Sequence, residues 1–214
     1  MFAKDFSHVR VWVFDLDNTL YPPEASLFAQ IEQRMTAWVA RELSVAHAEA
    51  DRLRHSYWRR YGTTLAGLMA EHDIDPLPYL DHVHDIDLTS LSPDPVLAGR
   101  IGRLPGRKIV FTNASETHAR RVLSARGLSR AFYAVYGVEH ARYTPKPELA
   151  AFETVFALGG VTPECGAMFE DDPRNLAVPH ALGMRTVLVG PERQPGAHVQ
   201  HHTDDLSAFL SQLA

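Results

Sequence analysis

Val11, Trp12, Val13 and Phe14 form an unbroken apolar run that ends at Asp15-Leu16-Asp17. A short apolar run without alternation reads as a strand covered on both faces, the arrangement of a parallel sheet layered by helices. A chain that buries such a strand and then exposes two carboxylates has put negative charge at the strand's carboxyl end. In open α/β sheets ligands bind there. Side chains two apart on a strand point the same way, so Asp15 and Asp17 can face one site. The competing reading is a turn in which Asp15, Asp17 and Asn18 serve local hydrogen bonds.

With 214 residues the chain fits one large domain, or a domain carrying a substantial insert. A hydrophobic share of 45% and a charged share of 22% are ordinary for a globular protein. The net charge of −5 argues against a nucleic-acid polymer as partner. No apolar run is long enough to span a membrane, and MFAKDFSHVR lacks a signal-peptide core. The single cysteine, Cys165, excludes an internal disulfide and suits a reducing compartment. The expectation is a cytoplasmic protein with no membrane partner, a monomer or homodimer. Cys165 follows a turn-like Thr-Pro-Glu and is a poor nucleophile.

Residues 25–84 differ from what surrounds them. Leu27, Phe28, Ile31, Met35, Trp38, Val39 and Leu43 recur at helical spacing. A second helix is expected from about Ala46 to Tyr61, stopped by Gly62. A third runs to Glu71, capped by Thr63 or Thr64, and a fourth covers Tyr79 to about Val83. After His84 strands and helices alternate. Strands are expected at 108–112, 134–136, 167–170 and 185–189, and helices at 115–126, 147–158, 174–182 and 205–213, the last capped by Thr203 or Asp204. Residues 190–202 read as a Pro/Gly/His-rich surface loop. Such alternation gives right-handed βαβ units. The expected fold is a Rossmann-like, three-layer α/β/α core with a parallel sheet, formed by residues 1–22 and 86–214, with an α-helical cap inserted at 23–85.

Further polar groups sit at expected strand ends. Thr112 and Asn113 follow Ile109-Val110-Phe111, Lys146 lies between two prolines before a helix, and Glu170, Asp171 and Asp172 follow Ala167-Met168-Phe169. Parallel strands share a carboxyl edge, so these groups converge on an acidic pocket with one lysine. Oxygen donors without clustered cysteines suit a hard divalent cation, Mg²⁺ above all. A cation beside a lysine suits a phosphate group. Singly each piece has a bland reading, Thr-Asn as a helix cap and the acids as charges against a helix dipole. Their order along four strand–helix junctions separates the two readings. His198, His201 and His202 lack a further ligand at a usual zinc spacing and read as surface residues.

At these residues the chain resembles the haloacid dehalogenase (HAD) superfamily of phosphohydrolases. The family's first motif, hhhhDxDxT, matches VWVFDLDNT from Val11 to Thr19. Thr112 matches the second motif and Lys146 the third. Glu170, Asp171 and Asn175 match the fourth, in the register that sets Asn175 four residues beyond Asp171. Asp172 is the alternative metal ligand, or a charge at a helix N-terminus. The resemblance implies that Asp15 is a nucleophile forming an aspartyl-phosphate and that Asp17 is the acid/base. It implies Mg²⁺ held by Asp15, Asp171 and the backbone carbonyl of Asp17, with Glu170 assisting. Thr112, Asn113 and Lys146 would hold phosphoryl oxygens. An acid two residues after the nucleophile favours phosphoesters over carbon–halogen bonds, although phosphomutases share it.

The wording DLDNTLYPP, YGTTLAGLMAEHDIDP, VHDIDL and FEDDPRNLAVPHALGM resembles the pyrimidine 5′-nucleotidase branch. This implies a small phosphorylated metabolite as partner, with pyrimidine nucleoside 5′-monophosphates leading. Tyr61, Thr63, Thr64, His72, Asp85 and Asp87 are expected at the mouth, and Tyr21 against the substrate. The alternative makes Thr63 and Thr64 helix caps and sets Asp85 and Asp87 in a hinge. Rival functions are a phosphatase of phosphoglycolate or a sugar phosphate, a non-catalytic HAD-fold binding protein, and a receiver domain, which is far shorter and has no insert.

Overall fold

The structure, a computed structural model, describes residues 2–213. Its strands are β1 (Val11–Phe14), β2 (Arg107–Phe111), β3 (Ala134–Tyr136), β4 (Gly166–Glu170), β5 (Arg185–Val189) and β6 (His201–Thr203). They form one sheet in the order β3-β2-β1-β4-β5-β6. Every neighbouring pair is parallel. The chain leaves β1 toward β2 and β3, then crosses back to lay β4 on the other side of β1. That reversal opens a crevice at the carboxyl end of β1, where an open α/β sheet binds its ligand.

Alternation along the central strands sends side chains to two separate cores. Trp12, Phe14, Val110, Phe169 and Val187 pack on one face of the sheet, against α6 (Pro95–Arg103), α7 (Glu116–Ala125) and α10 (Leu206–Ser211). Val13, Ile109, Phe111, Met168 and Leu188 pack on the other, against α8 (Leu149–Gly159) and α9 (Ala177–Ala181). Phe14 and Phe169 stack at 4.6 Å on neighbouring strands. The core has three layers, as the sequence leads one to expect.

Between β1 and α6 lie α2 (Leu27–Glu42), α3 (His47–Tyr61), α4 (Thr64–His72) and α5 (Pro76–Val83), with no strand among the described residues. Trp38 of α2 meets Tyr79 of α5 edge-on at 5.1 Å. Gly62 ends α3 at φ +84, a conformation L side chains rarely adopt. At Gly67 a Cβ would lie 2.4 Å from the Tyr57 Cβ, so α4 can lie against α3 only with glycine there.

Several element boundaries correct the sequence reading. The helix expected at 174–182 is a 3₁₀ turn, Pro173–Leu176, followed by the short α9, which contains Pro179. The helix expected from Pro147 begins at Leu149, because Glu148 is still extended at the N-cap. Residues 190–202 are not all loop: His201–Thr203 form the edge strand β6, paired through backbone with β5 and carrying no apolar signature. The cap of α10 is Asp205, whose carboxylate accepts from Ala208 N at 2.9 Å, and not Thr203 or Asp204. Two helices were not foreseen. The helix α1 (Phe2–Asp5) is a single turn. In α6, Gly99 and Gly102 dilute the helical pattern behind a clear Asp94-Pro95 start.

Candidate active site

β1 ends by donating Asp15 N–H to the Phe169 carbonyl at 2.9 Å, which carries the sheet one residue further and fixes Asp15 beside β4. Asn18 then turns the chain in the left-handed region (φ 57) and donates its amide to Asp171 Oδ2 at 3.2 Å. Lys146 is fully buried, and its Nζ donates to Asp15 Oδ1 at 2.6 Å, Glu170 Oε2 at 2.7 Å and the Phe111 carbonyl at 3.0 Å. Its backbone is clamped by Asn113. The Asn113 Oδ1 accepts from Lys146 N at 2.8 Å and its Nδ2 donates to the Lys146 carbonyl at 3.1 Å. Thr112 Oγ1 accepts from Ala114 N at 3.0 Å. The ends of β1, β2 and β4 are thereby cross-linked through the Lys146 loop.

Asp15, Asp17, Thr112, Asn113, Lys146, Glu170 and Asp171 all line one cavity of about 430 Å³. Oxygens of Asp15, Glu170 and Asp171 lie within 4.8 Å of one another. Three carboxylates face one ammonium, an excess of negative charge in a poorly solvated place. Burial, then Glu170, pushes the Asp15 carboxyl well above its ordinary value, against the pull of Lys146. Burial, Glu170 and Asp15 raise Asp171 to about 9. Lys146 is held protonated above its usual range, because Asp15 and Glu170 outweigh its desolvation.

The donor set suits a hard cation. Asp15 Oδ2 and Asp171 Oδ1 take part in no hydrogen bond among the described residues, whereas both oxygens of Glu170 are engaged. Its Oε2 is held by Lys146, and its Oε1 accepts from Asn175 Nδ2 at 3.1 Å. Asp172 turns away from this cluster. It caps the 3₁₀ turn by accepting from Arg174 N at 3.0 Å and pairs with the Arg174 guanidinium at 2.6 Å.

Asp17 lies in different surroundings. Burial pushes its carboxyl up, but His118, Tyr21 and His84 outweigh that and hold it below the usual range. Tyr21 Oη donates to Asp17 Oδ1 at 2.6 Å, and His118 Nε2 lies 3.7 Å from the same oxygen.

The remaining expected residues divide. Thr63 and Thr64 line the cavity. Thr63 also caps α4, accepting from Ala66 N at 3.1 Å, so both readings of that pair hold. Tyr21 is buried behind Asp17 and does not line the cavity. His72 is taken up by Tyr57 Oη at 2.7 Å, Tyr61 donates to Glu71 at 2.8 Å, and Asp85 pairs with Arg34 at 3.0 Å. Asp87 folds onto Thr89. None of these four lines the cavity. Sequence reading missed Phe28, Met35, Arg54, Trp58, Tyr79, His84 and Arg174, which do. Arg54 and Trp58 are one turn apart on α3, which is the one local signal that they share a face. Arg174 lies over the Trp58 ring at 3.9 Å, joining the insert to the loop after β4. His198, His201 and His202 do not line the cavity.

A parallel sheet with its acids and a buried lysine gathered at the reversal of strand order defines a Rossmann-like α/β protein with a cavity at the strand ends. The family is specific: the chain belongs to the haloacid dehalogenase-like hydrolases, whose model matches residues 9–183. It is 29% identical over 195 residues to Phosphate metabolism protein 8 of Saccharomyces cerevisiae; the match covers 84% of this chain and 61% of that protein's length. Its fold is similar to that of a HAD phosphatase from Thermococcus onnurineus, with TM-score 0.63 and 18% identity over 96% of this chain and 98% of the other. It is also similar to an L-2-haloacid dehalogenase from Xanthobacter autotrophicus, with TM-score 0.53 and 17% identity over 95% and 88% of the two chains. Among the described residues no helix is long and apolar enough to cross a membrane.

Proposed function

We propose that the protein is a Mg²⁺-dependent phosphomonoester hydrolase, acting on nucleoside 5′-monophosphates of the pyrimidine class, with helices α2–α5 as a cap over the site. The observation that carries this reading is the convergence of Asp15, Asp17, Thr112, Asn113, Lys146 and Asp171 on one cavity. Asp171 is supported as the ligand by the motif spacing and by its place in the acidic cluster, while Asp172 pairs with Arg174.

In this reading Asp15 Oδ2 attacks phosphorus while the bond to the leaving oxygen breaks, giving an aspartyl-phosphate. Asp17 gives its proton to the departing oxygen and then takes one from the water that cleaves the acyl-phosphate. Lys146, fixed by Asn113, holds Asp15 in place and compensates charge on the phosphoryl group, which Thr112 and Asn113 also contact. Asp15, Asp171 and the Asp17 carbonyl would hold Mg²⁺, with Glu170 assisting while it also orients Lys146. When bound, the cation supplies the positive charge that lets a carboxylate approach a phosphate dianion.

The insert's share of the cavity supports a leaving group with a flat face that stacks on aromatic side chains and polar edges that meet Arg54, Thr63 and Thr64. Phe28, Met35, Trp58, Leu65 and Tyr79 line it beside Arg54, Thr63 and Thr64. A dehalogenase has no need of an acid at Asp17, because halide leaves as an anion. The test is a panel of phosphomonoesters and 2-haloacids, with Mg²⁺ and with EDTA. Expected is Mg²⁺-dependent phosphate release, greatest for UMP and CMP, and lost in Asp15→Asn. Equal rates on sugar phosphates would sink the substrate assignment, and activity surviving in Asp15→Asn would sink the mechanism.

A further inference from the structure

His118 has an environment that its position in the fold does not require. It stands in the first turn of α7, its side chain is 0% exposed, and neither ring nitrogen has a hydrogen-bond partner. A buried imidazole with two unsatisfied nitrogens is costly, so such a group needs an account. His84 covers it, its ring stacked at 4.4 Å and 18°, and is tied to the Ser115 hydroxyl at 3.1 Å. The stack leaves His118 Nε2 pointing at one acceptor, Asp17 Oδ1 at 3.7 Å. Tyr21, 2% exposed, reaches that oxygen from a separate segment at 2.6 Å.

We propose that Tyr21 and His118 are positioning residues for the acid/base Asp17, holding Oδ1 from two sides so that Oδ2 alone is presented to the leaving oxygen. This rests on the reading of Asp17 given above and adds the residues that make it effective. The geometry accounts for the asymmetry. Both contacts fall on Oδ1, and Oδ2 has no hydrogen bond among the described residues, although Asp17 lines the cavity. A carboxyl group rotates freely unless one oxygen is fixed, and a proton donor a fraction of an ångström out of place loses much of its effect. Both groups also meet charge that grows on Asp17 as its proton leaves, so the Tyr21 hydrogen bond and the His118 contact strengthen along the reaction coordinate. His84 acts at one remove, by keeping the His118 ring from turning away.

The experiment is the dependence of kcat/KM on the leaving group, because kcat/KM reports the step in which that group departs and is blind to hydrolysis of the intermediate. Wild type, Tyr21→Phe, His118→Ala, His118→Gln and Asp17→Asn are compared with Mg²⁺ on p-nitrophenyl phosphate, phenyl phosphate and an alkyl phosphate, each checked for folding by its melting temperature. Tyr21→Phe keeps the ring and its packing, so it carries the test if His118→Ala fails to fold. The expected result is a loss of about ten- to a hundredfold on the alkyl phosphate, the range for hydrogen bonds to charged groups. Little loss is expected on p-nitrophenyl phosphate, whose anion needs no acid. His118→Gln, which retains a donor, should recover most of what His118→Ala loses. Equal loss on all three substrates, or none on any, overturns the proposal. If Asp17→Asn itself lacks the leaving-group dependence, the role of Asp17 is wrong and the positioning role falls with it. If Asp17→Asn has the dependence and Tyr21→Phe does not, only the positioning role is lost.

Discussion

The two walls of the cavity are built on different terms. On the sheet edge Asp15, Lys146 and Glu170 are buried, Asp17 and Asp171 are half-buried, and all are tied. Lys146 has three partners within 3.0 Å, Asp171 is held by Asn18, and Asn113 clamps the Lys146 backbone in both directions. On the helical insert two of the large side chains facing the same space stay accessible, Phe28 at 41% and Trp58 at 46% exposure, beside the buried Leu65 and Tyr79. Rigid charge at the one wall suits a reaction whose transition state is stabilised by groups already in place. An adaptable apolar surface at the other suits discrimination among leaving groups. On the proposed function, chemistry and specificity should then respond to substitution separately.

The largest effect should come from Lys146→Met. It removes the only ammonium from a pocket of three carboxylates, so turnover should fall at least about a thousandfold, as when a charge-compensating group is lost in phosphoryl transfer. Breaking a buried ion pair from one side costs about 3–5 kcal/mol, and this should appear as a lowered melting temperature that Mg²⁺ partly restores. Unchanged stability without metal would mean that the carboxylates are not crowded. Next is the acidic triple. Asp171→Asn should raise the Mg²⁺ concentration needed for half-maximal activity by about ten- to a hundredfold. Asp172→Asn should leave that requirement unchanged and alter stability by less than about 1 kcal/mol, because asparagine caps as well as aspartate and the Arg174 pair is partly exposed. The reverse pattern would reassign the register of the motif.

The insert should respond in another parameter. Trp58→Ala should raise KM for UMP about tenfold, the scale of one base-stacking contact, with kcat and the KM of a sugar phosphate little changed. A fall in kcat on every substrate would instead mean that Trp58, through its stack with Arg174, sets the position of the loop after β4, and the separation of the two walls would fail.

The sheet edge was readable from sequence because each of its residues sits at a fixed offset from a βα junction. Asp15 follows β1, Thr112 follows β2 and Glu170-Asp171 closes β4. The apolar run ahead of each names the strand, and the topology does the rest. The insert lacked such an anchor. Which side chains of α2–α5 turn toward the strand ends depends on how the helices pack on one another, and no local pattern encodes that. Thr63 and Thr64 reach the cavity, but His72 and Asp85, read from the same stretch, are drawn off by Tyr57 and Arg34. Tyr21 shows the limit from the other side. Its proximity to Asp17 was visible, but not that it would lie behind the acid instead of against the substrate. His118 carried no signal, since its significance depends on the ring of His84, brought in just after α5.

The smallest effect is a difference in pH dependence. In the metal-free protein the Asp171 carboxyl is raised from 3.8 to about 9, and Asp15 is raised as well. The folded state therefore keeps protons that the unfolded chain releases, and stability falls as pH rises toward 9. His84 has the opposite sign, because burial depresses it to about 3 and its charging favours the unfolded state, but that contribution ends once the free imidazole is neutral. Asp17, held low, likewise acts only in acid. Between about pH 7 and 9 the sheet-edge acids are thus left as the main source of slope, at most about 1.4 kcal/mol per pH unit for each proton held. The melting temperature without metal should fall across this window, and the gain from added Mg²⁺ should grow across it. Asp171→Asn should flatten both, whereas Asp85→Asn, which alters an exposed pair on the insert side, should leave them as in wild type. If Asp171→Asn keeps the wild-type slope, the excess negative charge does not reside at the sheet edge, and the contrast between the two walls loses its physical basis.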